Sequence, residues 1–201
     1  MSVKRYDRAY FDRWYRDPRA RIWARHEVER KVRMALGVAE YLLDRPVTSV
    51  LDVGCGEGSW QPILKRLRPR ASYLGVDDSA YVVRRYGSRR NIRRGTLGRL
   101  EEAGIAGDFD LVVCCDVLHY VPTADVRRGL RSLRERTVGV AYLEAYTAGD
   151  AIDGDRRGFQ RRSAATYRRL FREAGFAPCG LHCFVTREAA SSLVALERAA
   201  R

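Results

Sequence analysis

The chain has 201 residues, 46% of them hydrophobic, which suits one domain with a filled core. Its net charge of +13 is carried almost wholly by arginine, and its five cysteines make no zinc-finger spacing with histidine. No apolar run approaches the ~20 residues of a membrane-spanning helix and no signal-peptide segment opens the chain, so a cytoplasmic protein with reduced thiols and no bound metal is expected.

Residues 1–18 concentrate aromatic side chains (Tyr6, Tyr10, Phe11, Trp14, Tyr15) and close at Pro18. From Ile22 to Leu43, apolar residues recur at helical spacing through Val28, Val32, Leu36 and Ala39, which predicts one long helix. Arg45-Pro46 ends it. A first strand is expected over 49–53, where Val50, Leu51 and Val53 cluster. Gly54, Gly56 and Gly58 follow at alternate positions, and a helix is expected over 60–67. Strands are then predicted near 72–76, 91–93, 111–115 and 138–145. Helices are predicted from 79–85, 124–135 and 163–174. Residues 179–185 read as a sixth strand, and 188–201 read either as a helix or, in the favoured reading, as a seventh strand over 193–196. Alternation of this kind builds a parallel sheet with helices on both faces. Residues 1–45 form an N-terminal segment and helix ahead of the alternating region at 46–201, in one compact unit.

The glycine turn is the most informative stretch. Alternating glycines bend the backbone sharply and leave no Cβ between the chain and a ligand. A strand, a glycine turn and a helix N-terminus in succession are how α/β proteins hold a nucleoside. The spacing is Gly-x-Gly-x-Gly, not the dinucleotide Gly-x-Gly-x-x-Gly, and no Gly-Lys-Ser/Thr follows. Glu57 inside the turn and Asp52 before it repel a diphosphate. They suit a ligand with an ammonium or sulfonium group.

Leu-Asp-Val-Gly-Cys-Gly-Glu-Gly at 51–58 resembles the first motif of the class I S-adenosylmethionine-dependent methyltransferases. The segments ending at Asp77, the stretch 108–122 and Ala174-Gly175-Phe176 are similar to later motifs of that family, in the same order. The resemblance implies an α/β, Rossmann-like fold. Its seven-stranded sheet is mostly parallel, with helices on both faces, and its last strand is antiparallel, inserted by a hairpin. It implies S-adenosyl-L-methionine as cofactor. Gly54, Gly56, Asp77, Asp78, Thr96, Leu97, Cys115 and Asp116 are the expected cofactor-binding residues, with Asp77 on the ribose hydroxyls. Asp78 departs from the family's apolar residue, and Thr96 stands where an acidic residue is common.

Methyl transfer from a sulfonium is an in-line displacement, so the protein supplies alignment and desolvation. A base is needed only if the acceptor must lose a proton. His119, a few residues after the fourth strand, is the catalytic candidate. His26 and His182 read as structural. Glu144 and Tyr146, at the end of the fifth strand, read as ordinary strand-end residues that could also orient the acceptor. The N-terminal aromatics Tyr10, Trp14 and Tyr15 are expected to act as a lid that meets the sulfonium by cation–π contact. Residues 147–162 make a long connection with four arginines, suited to pairing with an anionic acceptor.

The expected activity is methyl transfer to oxygen or nitrogen of a small-molecule acceptor. An RNA or protein methyltransferase using the basic surface is the alternative, as is a non-catalytic cofactor-binding protein. Arginine pairs such as Arg84-Arg85, Arg93-Arg94 and Arg168-Arg169 are dispersed, which favours solvated helix faces over a nucleic-acid patch. No Asn/Asp-Pro-Pro-Tyr follows the fourth strand, which argues against enzymes acting on exocyclic amines of nucleic acids.

Overall fold

The computed structural model describes residues 4–21, 24–152, 154–191 and 193. Two short N-terminal turns come first: α1 (Arg8–Phe11) and a π-helical turn, Asp12–Arg16. Then follow α2 (Arg25–Leu43), β1 (Ser49–Val53), α3 (Trp60–Leu67), β2 (Ser72–Asp77), α4 (Ala80–Arg90) and β3 (Ile92–Arg94). A 3₁₀ segment, Leu97–Ala103, leads to β4 (Phe109–Cys115) and a 3₁₀ turn, Leu118–Tyr120. The chain continues with α5 (Thr123–Glu135), β5 (Thr137–Glu144), α6 (Ala164–Glu173), β6 (Phe176–Gly180), β7 (Cys183–Thr186) and α7 (Arg187–Ala190).

Among the described residues the strands form one seven-stranded sheet in the order β3-β2-β1-β4-β5-β7-β6. The first five strands pair in parallel, and β7 is antiparallel to both β5 and β6. Two cores flank the sheet, and strand parity decides which side chain enters each. Leu111, Val113, Val140 and Tyr142 face α2 and α3, where Val32, Ala35, Leu36, Ala39 and Trp60 meet them. Val112, Cys114, Ala141 and Leu143 face α5 and α6, against Leu130, Leu133, Leu170 and Phe171. Burial on both faces explains why β4 reads as an unbroken apolar run from Leu111 to Cys115. Phe11 joins a third, smaller cluster with Val82, Tyr86 and Ile92 and stacks on Tyr81 at 5.6 Å, which roots the N-terminal segment on α4.

The C-terminal strands differ from expectation. The predicted single strand at 179–185 is cut by a two-residue turn at Leu181-His182, both left-handed (φ 50° and 63°). Gly180 pairs with Cys183 across that turn. Positive φ at both central residues matches the twist of a two-residue hairpin. Glycine or asparagine ordinarily signals it, and neither stands here. The hairpin therefore uses residues 176–186, and the seventh strand expected at 193–196 is displaced. Thr186 instead caps α7, accepting from Ala189 N–H at 3.2 Å. Leu193 lies in no strand, and 194–196 fall outside the described residues. Elsewhere α4 runs five residues past its predicted end, and α2 begins at Arg25, with Ile22 outside the described residues.

One buried carboxylate ties the long helix to the sheet. Asp110 accepts from Arg45 Nη1 and Nη2 at 2.9 and 2.7 Å, and from Thr48 N–H and Oγ1–H, both at 2.7 Å. The Arg45 guanidinium holds this carboxyl well below the usual range. Its stabilisation is therefore present at neutral pH and is lost as pH falls below about 4, the unfolded-state value. Asp110→Asn is expected to cost about 1–3 kcal/mol at pH 7. Thermal melts should find the gap to the parent protein closing below about pH 3; an unchanged gap there would refute the charge-based account.

Candidate active site

The turn after β1 is built from backbone that only glycine adopts freely. Gly54, Gly56 and Gly58 have φ of 72°, 53° and 71°. A Cβ on Gly54 would overlap the Val117 side chain, and one on Gly56 would overlap the Tyr15 hydroxyl. Gly54 and Cys55 N–H both donate to Val76 O, at 2.7 and 3.2 Å, which fastens the turn to β2. The β1–β2 register, with Val53 beside Val76, then brings Asp77 next to the glycines. Asp77 Oδ2 accepts from Gly56 N–H at 2.8 Å and Oδ1 from Ser79 N–H at 2.9 Å. Burial raises the Asp77 pKa and these two donors oppose the rise. Each oxygen keeps a further lone pair for a ligand hydroxyl.

Two cavities lie over the carboxyl ends of the strands. The first, about 420 Å³, is lined by Gly54, Gly56, Asp77, Asp78, Thr96, Leu97 and Asp116, among others. The second, about 550 Å³, is lined by Asp52, Cys55, Trp60, Cys115, Arg21, Arg25 and Lys31, among others. Tyr10, Tyr15, Gly54, Asp116 and Tyr120 line both. Seven of the eight expected cofactor residues thus border the first cavity, and Cys115 borders the second alone. Asp116 leaves β4 in a left-handed conformation (φ 66°), which turns the chain out of the sheet between the cavities.

His119 stands elsewhere. It is 1% exposed and lines neither cavity. Nδ1 accepts from Tyr146 N–H at 3.3 Å, which leaves the proton on Nε2, 3.6 Å from Asp116 Oδ1. Burial, with Lys4 nearby, pushes its pKa down to about 4, so the ring is neutral. His119 thus packs behind Asp116 in this structure, the packing alternative to the catalytic role expected from sequence. The 3₁₀ turn rotates Tyr120, not His119, to the cavity side.

The loop at 147–162 departs in the same way. None of its arginines lines a cavity. Arg162 is buried and donates to Leu118 O and Thr123 Oγ1 at 3.0 Å, and to Val121 O, pinning the loop after β4. Arg156 and Arg161 bond backbone carbonyls of their own loop. Glu144 lies behind the second cavity, accepting from Lys31 Nζ at 2.7 and 2.8 Å, from Tyr142 OH at 2.5 Å and from Cys115 at 3.3 Å.

The N-terminal aromatics cover the site. Tyr10 and Tyr15 line both cavities and Trp14 lines the second. Arg16 pairs with Glu57 of the glycine turn and donates to Tyr86 OH at 3.0 Å. Ser79 Oγ donates to Tyr6 O at 2.5 Å. Lys4 Nζ rests 3.6 Å from the Tyr120 ring centroid and 2.9 Å from Asp155, joining this segment to the 147–162 loop. Lys31, Arg25 and Tyr120 were missed from sequence. The three-residue spacing of Arg25, Val28 and Lys31 along a long helix was the available signal. Among the described residues no group of His, Cys, Asp or Glu gathers as a metal site, and no helix is long and apolar enough to cross a membrane.

Comparison with known proteins agrees with this fold. Residues 8–193 match the family model described as a methyltransferase domain. Trans-aconitate 2-methyltransferase of Deinococcus radiodurans is 33% identical over 81 residues, 39% of this chain and 30% of that protein. The mitochondrial ubiquinone biosynthesis O-methyltransferase of Saccharomyces cerevisiae is 32% identical over 107 residues, 49% of this chain and 34% of that protein. The matched stretches thus span about a third of these curated relatives. Magnesium protoporphyrin IX methyltransferase from Synechocystis, solved with bound SAH, superposes with a TM-score of 0.57 at 20% identity, over 85% of this chain and 86% of that one. DesVI of Streptomyces venezuelae superposes at 0.60 with 14% identity, over 81% and 91%. The family match over most of the chain, on a fold shared with structures that hold SAM or SAH, makes this chain a member of the class I S-adenosylmethionine-dependent methyltransferases.

Proposed function

We propose that this chain moves a methyl group from S-adenosylmethionine to oxygen or nitrogen of a small-molecule acceptor. The observation that carries the proposal is the cradle at the first cavity: a glycine turn that a Cβ would fill, with Asp77 at its edge. The residues fit the group. Asp77 offers lone pairs to ribose hydroxyls, and Leu97 with Val117 offers apolar surface to adenine, beside Asp78 and Thr96. Asp52, Gly54 and Asp116 suit the methionine ammonium where the cavities meet, with Cys115 alongside. When bound, the cofactor supplies a methyl already activated on sulfur. The chain's residues hold and align it, and Tyr10 and Tyr15 exclude water.

The second cavity is the acceptor's place in this reading. Its mouth carries Arg21 and Arg25, neither in an ion pair among the described residues, which favours an anionic acceptor. Two curated relatives carry the names of small-molecule methyltransferases, which supports the same class. Some surface arginines are tied to carboxylates, as in Arg33–Glu29–Arg66 and Arg127–Glu173–Arg169.

Calorimetry with S-adenosylhomocysteine tests the cofactor assignment; no binding by folded protein would end it. Gly56→Val should weaken that binding by about tenfold or more, equal to about 1.4 kcal/mol, because its Cβ meets Tyr15 and its φ is left-handed.

Burial pushes Asp52 up to about 7, against the bond from Tyr73 OH. Below that pH the carboxyl is protonated and attracts an ammonium less. Affinity for S-adenosylhomocysteine is expected to rise from pH 6 to pH 8, and Asp52→Asn should flatten the rise. A slope that survives the substitution assigns it to another group.

Lys4→Met removes the charge that joins the N-terminal segment to Asp155. Stopped-flow release of the bound product should then quicken. An unchanged release rate would mean that this pair does not govern exit.

A further inference from the structure

We propose that the acceptor is a carboxylic acid with a flat apolar body, seated in the second cavity with its carboxylate on the Lys31 ammonium and methylated there to the methyl ester. This substrate class rests on the methyl-transfer reading above and deepens it.

The cations on α2 outnumber what the cofactor can use. Val28 neighbours Arg25 on one side and Lys31 on the other at three-residue intervals, and all three line the second cavity. Six residues of helix rise about 9 Å between Arg25 and Lys31. Arg25 is exposed and Lys31 half-buried, so a methionine carboxylate held by Arg25 at the mouth leaves Lys31 for a second anion. Lys31 is the inner one. Its side chain is 17% exposed, and its Nζ lies at the ends of β4 and β5, 2.7 Å from Glu144 and 3.9 Å from Cys115 Sγ. Asp77 ends β2, on the far side of β1. Glu144 has two donors besides Lys31, Tyr142 and Cys115, so it fixes the ammonium without depending on it alone.

The walls suit a flat body. Trp60, Pro62 and Ile63 come from α3, and Trp14 and Tyr15 from the N-terminal turn. The chemistry fits as well. An alcohol must lose its proton as it reacts, and His119 lines neither cavity. A carboxylate such as Asp116 is far too weak a base to ionise an alcohol. A carboxylic acid is already ionised at neutral pH. Its oxygen forms the new O–CH₃ bond in line as the S–CH₃ bond breaks, and the sulfur keeps the bonding pair. A neutral ester and a neutral thioether result, and no proton moves.

The test uses benzoate, trans-cinnamate and indole-3-acetate beside their primary amides and the corresponding alcohols. Binding is measured by calorimetry on the full chain saturated with S-adenosylhomocysteine. Transfer is measured with methyl-labelled S-adenosylmethionine. At least one acid should bind about tenfold or more tighter than its amide. Its label should be released as methanol by mild alkali, as only an ester allows. The charge-balanced variant Lys31→Met/Glu144→Gln should abolish the acid preference and change S-adenosylhomocysteine affinity by less than about twofold. Lys31→Arg should keep the preference. Equal binding of acids and amides, alkali-stable label, or no acid bound or methylated while S-adenosylhomocysteine binds normally would each overturn the proposal. Loss of S-adenosylhomocysteine affinity in the double variant, in step with the acid, would place Lys31 on the cofactor's own carboxylate and overturn it too. Failure of the parent chain to bind S-adenosylhomocysteine is a separate result that removes the cofactor assignment itself.

Discussion

The Asp77 carboxylate holds three pieces of chain in one relation. It ends β2, accepts from the glycine turn through Gly56 and accepts from the start of α4 through Ser79. A buried carboxylate is costly unless hydrogen-bonded, so these two donors are a condition of its being there. They are available only because Gly56 takes a left-handed backbone and Ser79 opens a helix, capping it through Val82 N–H at 3.1 Å. Parallel pairing of β1 and β2 sets the distance between turn and carboxylate. A one-residue slip in that register would send every side chain of β2 to the opposite core. The cradle is thus a consequence of sheet register, and the two cores that fix the register fix the site.

A chain of net charge +13 surrounds this site with arginine yet lines it with acid. Asp52, Asp77, Asp78 and Asp116 border the cavities at the β1, β2 and β4 ends. Cations border the second cavity along α2. The site therefore has an acidic side and a basic side, which suits a ligand pair carrying sulfonium and ammonium at one end and carboxylate at the other. Outside it, many guanidinium groups are spent on surface pairs worth about 0–1 kcal/mol each. Others gather around one ring, as Arg85, Arg89 and Arg90 do at Tyr86.

What could be read in the sequence was periodicity and backbone chemistry. The parity of Leu111-Val112-Val113-Cys114, the glycines at 54, 56 and 58, and Pro46 after the long helix each act locally, so each is visible locally. The hairpin at Leu181-His182 was not, because its turn uses residues with no intrinsic preference for left-handed backbone and is held by pairing to β5 and β6. His119 and Tyr120 could not be told apart for a related reason. Sequence places both just beyond β4, but only the rotation of a 3₁₀ turn decides which ring meets the cavity, and buried Arg162 sets that rotation from 40 residues away. The loop arginines failed as acceptor contacts because loop carbonyls and the β4 loop took their donors. The cations that do line the cavity sit on α2, where helical charges read as solvated.

The N-terminal segment closes the site by fastenings of unequal strength. Arg16–Glu57 has one partner near solvent, and such pairs contribute about 1 kcal/mol or less, whereas Lys4–Asp155 is mostly shielded from water. Phe11 is 2% exposed, and burying a phenylalanine is worth about 1.5–3 kcal/mol. The hydrophobic root on Val82 and Tyr86 therefore outlasts the Arg16–Glu57 tie. Tyr10 and Tyr15, which flank Phe11, can swing from the cavities while the root stays seated. Access to the glycine turn then requires breaking only the weaker contacts. A positively charged ligand arriving beneath the tyrosine faces replaces them with cation–π contact of similar size, about 0.5–2 kcal/mol.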